Sequence, residues 1–259
     1  MRLYDSRDGS LVKTISGHTA SVNGVFITSD DAYIISCAGN YDPAWRTKKT
    51  LNGDNTDNTI RVWDLPSGKQ LLKLPVQGAP VVCHYLGVSA VAANEAGTMI
   101  ISGGFDRAVC IWDRITGKLL SKFGGLVEQT TANGTIYADS NAYHAGVITA
   151  VTTYMLPSDT KLDLLQRAVS TSDDASIRIW DIGVSSPTSF SELKCIGSSI
   201  ARCRQDNLLA HTQPVICMTI LNMPPNRPIL ITGNQAHMKC QRSKCICFSF
   251  SQTHGHTNT

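Results

Sequence analysis

One short segment returns along this chain of 259 residues. Ile60-Arg61-Val62-Trp63-Asp64 comes back as Val109-Cys110-Ile111-Trp112-Asp113 and as Ile177-Arg178-Ile179-Trp180-Asp181. Arg2-Leu3-Tyr4-Asp5 is a worn version at the start. Each copy reads apolar, polar, apolar, Trp, Asp, the alternation of a half-buried strand. A strand motif recurring at long intervals confines the fold to a repeat architecture, in which each copy is one unit stacked on its neighbours.

Further marks keep step with the first. Asp64 to Gly68 and Asp113 to Gly117 place a glycine four residues after the Asp. A tight hairpin needs left-handed backbone there, which glycine supplies. Asp5 to Gly9 repeats the turn, whereas the third copy has Ser185 at that place, which predicts a looser turn. Upstream of the Trp lies a His-x3-apolar-x2-apolar frame: His18, Val22, Val25; His84, Val88, Val91; His144, Ile148, Val151; His211, Val215, Met218. An apolar residue followed by a hydroxyl recurs as Ile35-Ser36, Ile101-Ser102, Val169-Ser170 and Ile231-Thr232. Asp57, Asp106 and Asp174 each stand six residues before a Trp.

These marks together resemble the WD-repeat β-propeller family, over about residues 1–233. The resemblance implies an all-β fold of four-stranded antiparallel blades packed radially. It divides the segment 1–233 into a half-blade (1–16), three blades (17–76, 80–123 and 144–197) and a second half-blade (210–233). With Ala236 at the Asp place and no Trp after it, the chain reads as a partial propeller. Residues 234–259 are expected to be a divergent, disordered tail. Open blade edges would then be templates for self-association.

Loop parity adds a functional expectation. In an up-and-down blade a-b-c-d, the b–c and d–a connections emerge at one end and the a–b and c–d connections at the other. The stretches 38–56, 124–143 and 197–210 all fall at the b–c and d–a end, and only Pro157 to Gln166 enlarges the opposite end. Long loops on one rigid face suit partner binding. Within the first of them, Trp45, Arg46, Lys48 and Lys49 form a candidate contact site, Trp and Arg being favoured at interface hot spots.

His, Ser and Asp in every repeat invite a hydrolase reading. The resemblance implies instead structural tetrads: His18, Ser36, Asp57, Trp63; His84, Ser102, Asp106, Trp112; His144, Ser170, Asp174, Trp180. The Ser hydroxyl would link His and Trp, and the Asp would hold the His or its turn. A tripled set argues against a catalytic triad. No phosphate-binding loop, G-x-S-x-G or H-E-x-x-H motif occurs. The tail holds His237, Cys240, Cys245, Cys247, His254 and His256, zinc-ligand types at spacings that match no familiar finger. No metal and no cofactor are expected.

Composition excludes little more. A formal charge of +3 is too small and too dispersed to imply nucleic acid or membrane as partner. No apolar run approaches the ~20 residues of a membrane span, and the first residues lack the apolar core of a secretory signal. Nine cysteines without a regular Cys-x-x-Cys pair read as reduced, mostly buried thiols of an intracellular protein, cytoplasmic or nuclear. Asn133-Gly134-Thr135 reads as a turn. The expected function is a non-catalytic scaffold binding other proteins. The alternatives are a substrate-recognition part of a ubiquitin ligase complex and, remotely, a hydrolase using His84 and Ser102.

Overall fold

The computed structural model describes residues 1–41, 57–75, 84–131, 134–139, 144–157, 164–182, 195–198, 214–223, 227–234 and 246–247. Every regular element among them is a β-strand. A hairpin of β1 (Arg2–Tyr4) and β2 (Leu11–Thr14) comes first. The first blade is β3 (Val22–Ile27), β4 (Tyr33–Ala38), β5 (Ile60–Asp64) and β6 (Gln70–Leu74). The second is β7 (Val88–Ala93), β8 (Met99–Gly104), β9 (Val109–Asp113) and β10 (Leu119–Phe123). A separate hairpin follows, β11 (Leu126–Thr131) with β12 (Gly134–Asp139). The third blade is β13 (Ile148–Pro157), β14 (Leu164–Ser172), β15 (Ile177–Asp181) and β16 (Cys195–Ser198). The last sheet is β17 (Val215–Met223), β18 (Arg227–Asn234) and β19 (Ile246–Cys247).

Each blade is an antiparallel meander, its strands in chain order. The repeated residues set one register. Trp63 faces Ile34, Trp112 faces Ile100 and Trp180 faces Ala168 across the second and third strands. Two residue pairs further on, Ser36, Ser102 and Ser170 stand opposite Arg61, Cys110 and Arg178. The turns after Trp-Asp close as the glycines require: Gly68 N–H donates to Asp64 O and Gly117 N–H to Asp113 O, with φ of 73° and 71°. Gly9, at φ 74°, closes the first hairpin on Asp5 O in the same way.

The apolar core lies between the sheets. One cluster joins Ile35, Val62 and Leu74 of the first blade to Val88, Ile100 and Trp112 of the second. The next joins Ile101, Ile111 and Phe123 of the second blade to Ile148, Ala168 and Trp180 of the third. There the Phe123 and Trp180 rings stack, centroids 4.7 Å apart. A third cluster sets Val215 against Val169 and Ile177. Each blade thus buries its apolar faces only against its neighbours, as stacked repeats must.

A polar stitch crosses the same junctions. The pairing of first and second strands is bulged between Val22 and Gly24, Val88 and Ala90, and Ile148 and Ala150. A bulge leaves one residue out of the ladder and re-aims its side chain. That residue is Asn23, Ser89 or Thr149, and each donates to a carbonyl of the next sheet. Asn23 Nδ2 reaches Val88 O at 2.8 Å, Ser89 Oγ reaches Ile148 O at 2.5 Å, and Thr149 Oγ1 reaches Val215 O. The fourth bulge, between Val215 and Cys217, holds Ile216, which has no hydrogen to donate.

The structure departs from the sequence reading at several points. β11 and β12 pair as a hairpin where only a d–a connection was expected. Both ends of the stretch Pro157 to Gln166 continue strands, since β13 runs to Pro157 and β14 starts at Leu164, pairing Pro157 with Leu164; residues 158–163 lie outside the described residues. The tail is not wholly outside the sheets, because Ile246 and Cys247 pair with Thr232 and Ile231. Cys37 is a buried free thiol, its pKa pushed up to about 12 by burial. Cys110, however, is disulfide-bonded, which corrects the reading of the cysteines as reduced.

Candidate functional site

The hydrogen-bonded groups inside the blades are the chemically richest places in the chain. In the first blade, Trp63 Nε1–H donates to Ser36 Oγ at 2.8 Å. His18 Nε2 lies 2.8 Å from the same oxygen, and His18 Nδ1 lies 2.8 Å from Asp57 Oδ2. In the second blade, Trp112 Nε1–H donates to Ser102 Oγ at 2.9 Å, His84 Nε2 is 2.8 Å from Ser102 Oγ, and His84 Nδ1 is 3.0 Å from Asp106 Oδ1. An ionised carboxylate only accepts, so Nδ1 carries the imidazole hydrogen and Nε2 accepts from the serine. Each set is therefore a one-way relay, Trp to Ser to His to Asp. The Asp does a second job: it accepts the N–H of the residue after the His, Thr19 at 2.8 Å and Tyr85 at 3.1 Å.

The third blade inserts a residue the sequence reading missed. His144 Nε2 is 2.7 Å from Ser170 Oγ, and Trp180 Nε1–H donates to that oxygen at 2.8 Å. His144 Nδ1, however, meets Ser176 Oγ at 2.7 Å, while Asp174 Oδ2 stands 3.7 Å away. Asp174 keeps the other task, accepting Ala145 N–H at 2.6 Å. The corresponding position is Thr59 in the first blade, whose hydroxyl bonds Asp57, and Ala108 in the second. A hydroxyl two residues after the Asp was the available signal.

Burial sets the electrostatics. It is the largest influence on His18 and His144 and pushes both imidazoles below their ordinary range, so both are held neutral. On Asp57 burial pushes upward, but the Thr59 hydroxyl, the Thr19 N–H and His18 outweigh it and hold the carboxyl low. Asp106 behaves alike: burial raises it, and His84, Lys122 and the Tyr85 N–H bring it below the usual range. Burial in turn lowers Lys122, against the pull of Asp106. Arg61 completes the first set, its guanidinium 3.2 Å from Asp57. Asp173 is the exception, raised chiefly by burial.

The sets resemble hydrolytic triads in composition and cannot be reached like one. Ser36, Ser102 and Ser170 have no exposed surface. Each serine oxygen already accepts from an indole and donates to an imidazole nitrogen. A nucleophile must lie within ~3 Å of a space for the reacting atom.

Residues 42–56 lie outside the described residues, and with them Trp45, Arg46, Lys48 and Lys49. The residue just before them, Tyr41, is 49% exposed and packs its ring on Phe105, centroids 5.5 Å apart. Phe105 lies in the b–c turn of the second blade, so two b–c connections meet through an aromatic pair. The tail residues His237, Cys240, Cys245, His254 and His256 also lie outside the described residues. Among the described residues no three His, Cys, Asp or Glu side chains are grouped to hold a metal.

The family profile described as WD domain, G-beta repeat, matches residues 9–64 and 78–113. Those two segments are WD repeats. Among curated relatives, this WD-repeat chain is 23% identical over 184 residues to the nuclear distribution protein nudF of Aspergillus niger, a match covering 70% of the chain and 35% of the relative. It is also 23% identical over 194 residues to pre-mRNA-processing factor 17 of Mus musculus, covering 64% of the chain and 28% of the relative. The chain thus spans about a third or less of these relatives. Among solved structures, U3-55K superposes with a TM-score of 0.54 at 19% identity, covering 86% of the chain and 48% of U3-55K. The RRP9 WD40 repeats give 0.53 at 19%, covering 86% and 47%. These likenesses establish the fold of the WD-repeat chain.

Proposed function

We propose that this WD-repeat chain is a non-catalytic scaffold that binds partner proteins on the face carrying the b–c and d–a connections. One observation carries the reading: the half-exposed Tyr41 ring, at the start of the long b–c connection, is anchored on Phe105 of the next blade. An aromatic held in place from below loses little freedom on binding and suits an interface anchor. The β11–β12 hairpin emerges at the same end, as a d–a connection. The sealed serines support the absence of catalysis. The names of the relatives, in nuclear distribution and pre-mRNA processing, are in keeping with an intracellular chain of the cytoplasm or nucleus. The exposed apolar residues of β3 support self-association as a secondary property.

The test compares a chain lacking residues 40–55 and a Tyr41→Ser chain with one altered at the opposite end, Ile115→Ser. Cross-linking mass spectrometry in cells reads the partners. Loss of the same partners in the first two chains, with retention in the third, is the expected result. An unchanged partner set in all three would sink the reading.

A further inference from the structure

The first strand of each sheet turns its two faces to different neighbours. Counted from the bulge, Val88, Val91 and Ala93 of β7 point back and pack with Ile35, Val62 and Leu74 of the first blade. Ala90 and Ala92, on the other face of β7, pack with Ile148 and Val151 of β13. Val215, Met218 and Ile220 of β17 point back in the same register, onto Val169 and Ile177 of the third blade. Three junctions repeat one rule: the back face of a first strand lies against the forward face of the sheet before it.

Among the described residues, two such faces stay open. The back face of β3 carries Val22, Val25 and Ile27, the equivalents of Val88, Val91 and Ala93, and all three are exposed, Val25 at 53%. The β1–β2 hairpin leaves them open: Met1 and Ile15, at its ends, pack on Ile34 of β4 and Trp63 of β5. The forward face of β17 carries Ile216, in the bulge, and Thr219; both are exposed, Ile216 at 51%. With both surfaces open in the single chain, one copy does not cover its own.

The other junctions say what fits. The backbone oxygen of Val88 is met by the bulge residue Asn23 of the sheet before, that of Ile148 by Ser89, and that of Val215 by Thr149. The equivalent of Val88 in β3 is Val22, and the equivalent of Asn23 in β17 is Ile216. Ile216 has no hydrogen to give, and the residues it matches, Val22, Val25 and Ile27, ask for none. Two open apolar surfaces in matching register gain by leaving water together. We infer that a second copy of this chain covers β3, its β17 face seated there as each sheet is seated on the next. The two surfaces differ, so the contact runs head to tail and is not a symmetric pairing of one patch with itself. This rests on the self-association that β3 supports and names what covers the strand.

Sedimentation velocity of the whole chain reads the contact, and association of the parent that grows with concentration is expected. Val25→Lys blocks the β3 face and Ile216→Glu blocks the β17 face. Each should weaken association at least ~tenfold, because a lone charge in an apolar contact is costly. Each variant keeps one working face, and the two faces that remain are complementary. An equimolar mixture should therefore form a 1:1 pair that neither variant forms alone. Both residues are exposed, so the melting temperatures should match the parent's; Ile27→Lys and Thr219→Lys repeat the test where either variant unfolds. Full association of folded Ile216→Glu, or a mixture of folded variants that restores no pair, would overturn the head-to-tail contact and leave self-association standing. A parent that is monomeric at every concentration would overturn both. None of these variants alters Tyr41, so the partner face fails or stands separately.

Discussion

Lys122 serves Asp106 from the fourth strand as Arg61 serves Asp57 from the third. Arg61 stands two residues before Trp63, its guanidinium 3.2 Å from the carboxylate. Cys110 holds that position in the second blade, and its ladder partner on β10 is Lys122. The ammonium lies 5.0 Å from the centre of the Tyr85 ring and favours the ionised form of Asp106. A buried carboxylate needs a nearby cation, and the blade supplies it from whichever strand has one to offer.

This swap predicts an asymmetry between two lysines at one register position. Lys73 pairs with Arg61 as Lys122 pairs with Cys110, yet in the first blade the cation is already present and Lys73 is exposed. Lys122→Met should lower stability by about 1–3 kcal/mol, because Asp106 keeps its charge with less to balance it. Lys73→Met should cost under about 0.5 kcal/mol. Urea denaturation of both variants measures the difference, and equal losses would show that Lys122 only packs.

Ser102→Ala should be costly out of proportion to one hydroxyl. It strands the Trp112 indole N–H and the His84 Nε2 in a site with no solvent. Each unsatisfied buried group costs ~1–3 kcal/mol, so a loss of about 2–5 kcal/mol is expected from denaturant melts. In the parent chain, a serine-reactive fluorophosphonate should leave Ser102 unlabelled. Stoichiometric labelling at Ser102 would instead restore the hydrolase alternative.

Acid should weaken the fold in two stages. His18 and His144 are held below their unfolded value of ~6.5. The unfolded chain then binds more protons, so their contribution is whole above ~6.5 and declines as pH falls through the folded values. Asp57, Asp106 and Asp174 are held below ~3.9, so a second loss begins near that pH and continues downward. Asp173, raised in the fold, acts in the opposite sense and is outnumbered. Melting temperature against pH should therefore slope gently from 6.5 and steeply below 4. His144→Gln should flatten the upper slope; an unchanged slope would assign it to other groups.

The first strand of the first blade presents an apolar stripe to solvent. Val22, Val25 and Ile27 are 37%, 53% and 43% exposed. Exposed, hydrophobic strand surface invites pairing with another chain, and a charge there suppresses it. Sedimentation of the parent chain should show association that increases with concentration, and Val25→Lys should reduce it. A monomer at all concentrations in both chains would mean the stripe attracts nothing.

The strands carrying Trp-Asp, the glycine turns and the place of each His, Ser and Asp were legible because the repeat states them three times over. Ser176 was not, since its role appears only when the third blade draws the Asp174 carboxylate away from His144. Nor was the stitch through Asn23, Ser89 and Thr149. Those residues share only polarity, and it takes a bulge to point them at the next sheet. Lys122 escaped because its partner is fixed by strand register and not by spacing.

The stitch also has a direction. Asn23, Ser89 and Thr149 each donate forward, to the sheet that follows in the chain, and Ile216 ends the series. Tension applied from end to end would load these bonds in series, each carrying the whole of it, so the weakest junction would open first. Among the described residues, the sheet that begins with β17 receives such a bond and passes none on. Mechanically the chain is a sequence of identical couplings with a plain terminal link.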